Sequence, residues 1–293
     1  MTTIAPPPPA PATPPPPLSP GGRTALRLTL IVAAAVLVVG TLASLGAVAW
    51  GVASFRVITD SKPLPAGMRS VVVDTGSVPI AIRITTDREA REPRADLRMV
   101  NSIRAGANPL VVNSDPAGAR VTINGEPSAF LDFGRAGEIN LVLPPDLGRK
   151  LTVTAKQDTG VVLAQADLDQ LIAHTDTGAV VLSGAARRVE IHNVDGEVVT
   201  RDPIRVTESF SAATENGDIK VDFADTAPRT VDVSSQNGDV VVALPVRGPY
   251  VVNANTDNGS TSVRVPQTVN RENAAAVVTA RSQNGDVVID DLR

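Results

Sequence analysis

Apolar and polar residues alternate in short runs along the second half of the chain, and each run directly follows a glycine. After Gly217, for example, Ile219 and Val221 are aliphatic, whereas the residue after each of them is charged. A period of two residues is the spacing of side chains on one face of a β-strand. The pattern therefore predicts short strands with one buried aliphatic face.

The glycines that precede these runs are regularly spaced. They are separated by 18, 18, 21, 21, 21 and 26 residues: Gly160, Gly178, Gly196, Gly217, Gly238, Gly259 and Gly285. The residue two positions after each glycine is aliphatic in six of the seven repeats. Repeats that each bury one aliphatic face stack on their neighbours. We therefore predict an all-β, β-solenoid or β-helix-like region over residues 156–293, with these aliphatic residues in one column.

The residues around each glycine are suited to a turn. Asparagine precedes the glycine in four repeats: Asn216, Asn237, Asn258 and Asn284. Glycine adopts positive φ without a Cβ penalty, and asparagine also tolerates it. These residues are predicted to be structural turns. Because Asn-Gly is also the favoured hairpin turn, a sandwich or a sheet of hairpins is the alternative architecture.

A different pattern occupies the N-terminal region. Between Arg27 and Arg56 lie 28 uncharged residues, mostly Leu, Ile, Val and Ala, and about 20 apolar residues cross a bilayer as a helix. Arg23 and Arg27 precede this segment and no acidic residue occurs before Asp60, so the N-terminus is expected in the cytoplasm. We predict a single-pass cell-membrane protein that contacts the lipid bilayer through residues 25–56, with its C-terminal part extracellular or periplasmic. A cleaved signal peptide is the alternative.

The remaining boundaries follow from composition and strand spacing. Residues 1–24 are proline-rich and are predicted to be a disordered cytoplasmic tail. Residues 57–67 are expected to be a linker, and residues 68–155, whose strand pattern is less regular, an irregular β region or cap. The last strand ends near Ile289, and we expect it to be covered by the 68–155 region, by Leu292 or by a second copy of the chain. A homo-oligomer is therefore one expectation.

Composition and charge exclude several kinds of function for this protein. The chain has no cysteine, which excludes disulfides, thiolate catalysis and cysteine-bound metals. All 31 acidic residues but only 24 of the 27 basic residues lie in residues 57–293, which gives this part a formal charge of −7. A nucleic-acid surface requires an excess of basic residues. We therefore expect no nucleic-acid partner.

Few side chains could bind a metal. His174 and His192 both lie four residues before a repeat glycine, so stacking would make them neighbours able to share a metal; a surface ladder is the alternative. Asp218, Asp239 and Asp286 follow repeat glycines and could line up to bind calcium, or could cap the turns. We favour the ladder and turn capping, and we predict no metal or cofactor.

Three Asp-Thr-Gly triplets, which begin at Asp74, Asp158 and Asp176, resemble the catalytic loop of aspartic proteases. Each of them precedes a strand just as the other repeat turns do. A polysaccharide-active enzyme, which a parallel β-helix can also house, would need clustered charges that the sequence does not mark. We predict that the protein is not an enzyme and keep both activities as minor alternatives.

The repeats resemble the bacterial putative-adhesin domain family, which comprises membrane proteins of unknown function with exported β-strand repeats and Asn-Gly-Asp turns. The resemblance spans roughly residues 68–293, and the triplets that begin at Asn216, Asn237 and Asn284 carry it, whereas Ser260 replaces the aspartate after Gly259. It implies a non-catalytic envelope protein with an adhesin-like surface interaction or a scaffolding role. A sensory ectodomain that signals through the proline-rich tail is the alternative.

Overall fold

The computed structural model describes the C-terminal part of the chain almost continuously. The described residues are 34, 37–41, 44, 55–102, 108–115, 117–124 and 137–292. The predicted tail 1–24 and most of the predicted membrane segment 25–56 lie outside them. Residues 34, 37–41 and 44 are helical. Within the described residues, no helix has the length and apolar character needed to cross a bilayer.

From Phe55 onward the chain is a single unit built almost entirely of strands. The strands are β1 (Phe55–Pro63), β2 (Ser70–Asp74), β3 (Ile80–Thr86), β4 (Arg94–Ser102), β5 (Leu110–Ser114), β6 (Gly118–Ile123), β7 (Gly137–Leu143), β8 (Thr152–Asp195), β9 (Val198–Thr200), β10 (Arg205–Asn216), β11 (Ile219–Asp222), β12 (Thr230–Asn237), β13 (Val240–Leu244), β14 (Tyr250–Asn258), β15 (Thr261–Val263), β16 (Ala276–Asn284) and β17 (Val287–Asp291). A short helix α1 (Pro145–Gly148) and a 3-10 turn (Arg271–Asn273) complete the described elements. The buried core lies between Leu64 and Ile289, so this unit contains its own hydrophobic core.

Equivalent strands of successive repeats pair in parallel. Val180 pairs with Val198, Val198 with Ile219, and Ile219 with Val240, and all four are fully buried. The predicted aliphatic column is therefore confirmed. The hairpin alternative is wrong for this region, because every pairing described among β8–β17 is parallel.

Residues 68–155, which were predicted to be an irregular β region or cap, form both a layer and one end of the stack. Strands β2 and β3 pair in parallel with β8, and β6 and β7 pair in parallel with β2 and β3. Beyond them β4, β1 and β5 add antiparallel strands. Strand β1 includes residues 57–63, which the sequence assigned to a linker. They form a strand because their backbone pairs along its whole length with β4.

The last two repeats are exchanged in space relative to their order in the sequence. Val278 of β16 pairs with Val231 on one side and Val252 on the other. Ile289 of β17 likewise pairs with Val242 and Val263. The final strand is therefore covered by β15, and not by residues 68–155, Leu292 or a second copy as the sequence suggested. The outermost layer is instead β14–β15, which carries Thr261, the one column residue that is not aliphatic.

Candidate functional site

Each repeat turns a corner at its glycine, and two steric conditions act there. Gly217 has φ +149°, outside the range that L-residues favour. A Cβ on Gly217 would also lie 2.0 Å from the carbonyl oxygen of Gly196 in the adjacent layer. Gly178, Gly196, Gly238 and Gly285 also combine a positive φ with such a contact. The corners therefore stack so closely that only glycine fits.

The asparagines before the glycines form a continuous amide ladder. Asn237 Nδ2 donates to Asn216 Oδ1 at 2.9 Å, and Asn284 Nδ2 donates to Asn237 Oδ1 at 2.8 Å. Asn258 Nδ2 donates to Asn284 Oδ1 at 2.9 Å, and Asn216 Nδ2 donates to Asp195 Oδ1 at 2.6 Å. Each side chain thus uses its neighbour in the next layer as its hydrogen-bond partner.

The aspartates after the glycines cap the corner of the next layer. Asp218 Oδ1 accepts from the backbone N–H of Asp239 at 2.9 Å, and Asp239 Oδ1 accepts from that of Asp286 at 2.8 Å. Asp286 Oδ1 accepts from Ser260 N at 2.8 Å, and this bond lowers the pKa of the Asp286 carboxyl. Among the described residues, no three His, Asp or Glu side chains are grouped closely enough to hold a metal ion.

A row of polar side chains, which we call the buried polar row, lies inside the stack three residues before each glycine. Ser235 Oγ donates to Gly217 O and Ser282 Oγ to Gly238 O, both at 2.9 Å. Asn193, Thr214 and Thr256 bond to the glycine carbonyls of their neighbouring layers in the same way. The sequence reasoning missed this row. The sequence does indicate the row: a polar residue lies three positions before every repeat glycine, on the strand face that otherwise carries aliphatic residues.

His174 and His192 lie on the outer face of the stack as vertical neighbours, as predicted. Their rings are parallel, with an interplanar angle of 6° and centroids 5.3 Å apart. Burial, and to a smaller extent the proximity of His192, lower the pKa of His174. His192 Nε2 lies 3.1 Å from Glu190 Oε1. Above His192 the same column continues with Ala213 and Ser234, which are small.

These small residues create a groove along the outer face, which we call the polar groove. It has a volume of about 600 Å³ and extends over six layers, from His174 to Asn255. Arg281 follows Ser234 in the column, so two layers with small side chains lie between an imidazole and a guanidinium. Two residues farther along three of these strands lie three carboxylates that also line the groove: Asp176, Glu215 and Asp257. The sequence reasoning did not identify this groove, because the strand order that forms it differs from the sequence order.

The aspartate of the first Asp-Thr-Gly triplet does not line up with the aspartates of the other two. Asp74 pairs in register with Lys156, two residues before Asp158, so the first triplet is displaced from the others. The Asp74 carboxylate accepts from Gly76 N at 3.2 Å and from Arg120 at 3.2 Å. Its partners are thus a turn and an arginine.

A network of ion pairs occupies another part of the surface. Arg187 makes a bidentate contact with Asp169 at 2.7 and 2.8 Å and also pairs with Glu208 at 2.5 Å. Arg188 pairs with the same carboxylate. These hydrogen bonds lower the pKa of Glu208 to about 2. Asp169 and Arg187 are separated by one 18-residue repeat, so the pair joins two layers.

Comparison with solved structures finds several bacterial proteins of low sequence identity to this chain. A solved structure described as a putative adhesin from Bacteroides fragilis is 14% identical to this chain, with a TM-score of 0.45, and the match covers 81% of this chain and 97% of that one. A putative adhesin from Parabacteroides merdae is 10% identical, with a TM-score of 0.38 and the same two coverages. A putative lipid binding protein from Parabacteroides distasonis is 9% identical, with a TM-score of 0.45, and the match covers 80% and 97%. No curated protein matches the chain.

A family model agrees with the repeats that the sequence and the structure show. The model described as Toastrack DUF4097 matches residues 148–290, which span strands β8 to β17. These strands carry the stacked corners, the amide ladder and the buried polar row. Residues 148–290 of the chain therefore match a Toastrack DUF4097 domain.

Proposed function

We propose that this protein is a non-catalytic module of the cell envelope that binds another cell-surface molecule through its polar groove, in the manner of an adhesin. The observation that carries the proposal is the groove itself, a hollow of about 600 Å³ that follows the stacking direction across six layers. Ligand sites are concave and contain a few positioned polar groups. An extended molecule would contact equivalent positions in successive layers.

The chemistry of the groove favours a polar ligand without strong negative charge. Three carboxylates line it against one arginine, and the histidine with the lowered pKa is neutral at pH 7. Among the described residues, the large apolar side chains with high exposure lie elsewhere, so the groove offers no apolar anchor to a protein partner. A glycan chain fits best, because its hydroxyl groups both donate to carboxylates and accept from amides and arginine.

The corner aspartates contribute to the fold and not to catalysis. Asp218, Asp239 and Asp286 each accept a backbone hydrogen bond from a neighbouring layer. A carboxylate held in this way is already occupied as a hydrogen-bond acceptor, which suits capping and opposes a role as general acid. The aspartates that could line up to bind calcium therefore cap the corners of the stack instead.

The N-terminal sequence supports attachment of this module to the membrane. Residues 25–56 are long and apolar enough to cross the bilayer, and the flanking arginines favour a cytoplasmic N-terminus. The part of the chain from residue 57 onward would then be extracellular or periplasmic. In that position its groove could contact envelope glycans or a neighbouring cell.

The proposal is tested by filling the groove. Fluorescently labelled 55–293 fragment is titrated onto intact bacterial cells and onto an immobilised neutral polysaccharide. We expect Ser234→Arg to weaken binding at least tenfold, because the long side chain occupies the hollow next to Arg281. Val241→Arg, on the outward side of β13 beyond the corner, is the matched control and should bind as the wild type does. Absence of cell binding by the wild-type fragment, or equal affinity of both variants, would refute the proposal.

A further inference from the structure

A line of polar side chains extends the buried polar row into the first layers of the stack. Thr75, Gln157, Thr175 and Asn193 follow one another there, and each is only 2–4% exposed. Thr75 lies beside Gln157, since Thr75 N donates to Lys156 O at 3.0 Å. Thr175 and Asn193 follow at successive 18-residue steps. We call these four side chains the polar column.

Five atoms of the polar column have no hydrogen-bond partner within the described protein. They are Thr75 Oγ1, Gln157 Nε2, Gln157 Oε1, Thr175 Oγ1 and Asn193 Oδ1. The later layers differ, because Ser235 and Ser282 donate to glycine carbonyls at 2.9 Å. The unpaired atoms are thus confined to the layers that carry the polar column.

Such a concentration of unpaired atoms requires a partner. More than nine in ten buried polar groups in proteins are hydrogen-bonded, and a buried donor or acceptor without a partner is costly. Five of them in four adjacent layers would remove a large part of the stability of a domain. The four side chains are also almost fully buried, although Thr175 and Asn193 adjoin the polar groove. Only a very small ligand could therefore reach these atoms.

The atoms themselves define the chemistry of that ligand. Gln157 Nε2 is a donor, Gln157 Oε1 and Asn193 Oδ1 are acceptors, and the two threonine hydroxyls can be either. The buried polar side chains among the described residues include no ionised group, so no charge balances an ion. Water both donates and accepts, and a buried water typically makes about three hydrogen bonds. A cation requires oxygen ligands, and the N–H groups of the Gln157 amide would have to turn away from it.

We propose that the polar column binds ordered water molecules, which bridge the first layers of the stack from Thr75 to Asn193. At Thr75, Gln157 and Thr175 the waters replace the side chain to carbonyl bonds that join the later layers. Asn193 keeps its bond to the Gly178 carbonyl and contacts water only through Oδ1. Residue 157 is then an amide because its unpaired Nε2 and Oε1 give bridging waters both a donor and an acceptor. This inference is independent of the proposed function.

The sign of a stability change tests the proposal. Thr175→Val keeps the shape of the side chain and removes its hydroxyl. If the hydroxyl is bonded to water, the substitution breaks that bond, and the unfolding equilibrium constant should rise by about tenfold. If the hydroxyl is truly unpaired, valine should leave the equilibrium constant unchanged or lower it, which would overturn the proposal. The matched control is Thr214→Val, whose hydroxyl contacts the Gly196 carbonyl and whose loss should raise the constant similarly.

A high-resolution crystal structure of the 55–293 fragment supplies a second, direct readout. Residues 55–293 contain the whole described core, so the fragment is a suitable sample. We expect discrete density within hydrogen-bond distance of the Gln157 amide and the Thr175 hydroxyl, with the scattering of water. A dry column in which Gln157 bonds directly to Thr175, or density with the anomalous signal of a metal ion, would overturn the proposal.

Discussion

At the scale of single residues, the corner glycines control how closely the layers approach. Gly217 has a positive φ, and a Cβ at this position would lie only 2.0 Å from the carbonyl oxygen of Gly196. Backbone strain and a steric clash would therefore act together on any other residue. The neighbouring asparagine and aspartate then bond from layer to layer because the glycine lets the layers meet.

We expect Gly217→Ala to destabilise the 55–293 fragment by at least about 3 kcal/mol, since a strained φ alone costs about 1–3 kcal/mol and the clash adds to it. Chemical denaturation measured by circular dichroism would show the change as a lower midpoint. The matched control is Gly67→Ala, because a Cβ at Gly67 meets nothing within 4 Å. Similar midpoints for the two variants would contradict the steric argument.

The lowered pKa of His174 predicts a dependence of stability on pH. Because the folded state disfavours the charged imidazole, the unfolded chain binds more protons just below its own pKa of about 6.5. Stability should therefore be full above that pH and should fall as the pH falls through it toward the lower pKa of the folded state. Glu208, with a pKa of about 2 in the folded state, contributes to the pH dependence of stability only below about pH 4.5.

Denaturation midpoints of wild type and His174→Gln, compared between pH 7.5 and 5.5, test this prediction. The loss of stability on acidification should be smaller in His174→Gln, because the variant has no imidazole to protonate at that position. Identical pH dependence in the two proteins would show that His174 is not the group responsible.

The sequence indicated the corners but not the buried polar row. Asn-Gly-Asp is a local signal, since the turn depends on the φ preferences of adjacent residues. The acceptor of Ser235, in contrast, is the carbonyl of Gly217 in another layer. A serine among strand residues therefore suggests a solvent-facing position until the layers are stacked.

At the scale of elements, the alternation of residues predicted most strands, but it could not give their spatial order. Strands of every repeat have nearly the same pattern, so β14 and β16 both fit beside β12. Burial decides between them: Val278 and Ile289 are fully buried, whereas Thr261 tolerates exposure at the edge. The 26-residue step before Gly285 supplies the extra chain that the exchange requires.

The absence of cysteine from the sequence allows this order to be tested by disulfide cross-linking. Ser234 and Arg281 are direct partners, so the variant Ser234→Cys with Arg281→Cys should cross-link readily on oxidation. Ser234 and Asn255 are two layers apart, about 9.6 Å at 4.8 Å per layer, which is beyond disulfide reach. A double variant at positions 234 and 255 is therefore the control. Preferential cross-linking of that control would restore the sequence order.

At the scale of the whole molecule, the described stack has two different ends. One end consists of antiparallel strands, in which β4 pairs with both β7 and β1. The other end is β14–β15, whose outer edge is only partly covered: Tyr250 bonds to Pro266 and Thr268, but its neighbours farther along β14 pair only with β16. Its outward residues are polar, among them Asn253 and Asn255, as in edge strands that avoid aggregation.

This difference predicts where the stack opens first. In a repeat protein each layer is stabilised mainly by its neighbours, and β14–β15 has a neighbour on one side only. Hydrogen exchange followed by mass spectrometry should therefore show faster exchange for peptides of β14 and β15 than for β16 and β17. The final strands should be the better protected although they lie closer to the C-terminus. Equal protection of β14 and β16 in the isolated 55–293 fragment would mean that the edge is covered, and would contradict the open end.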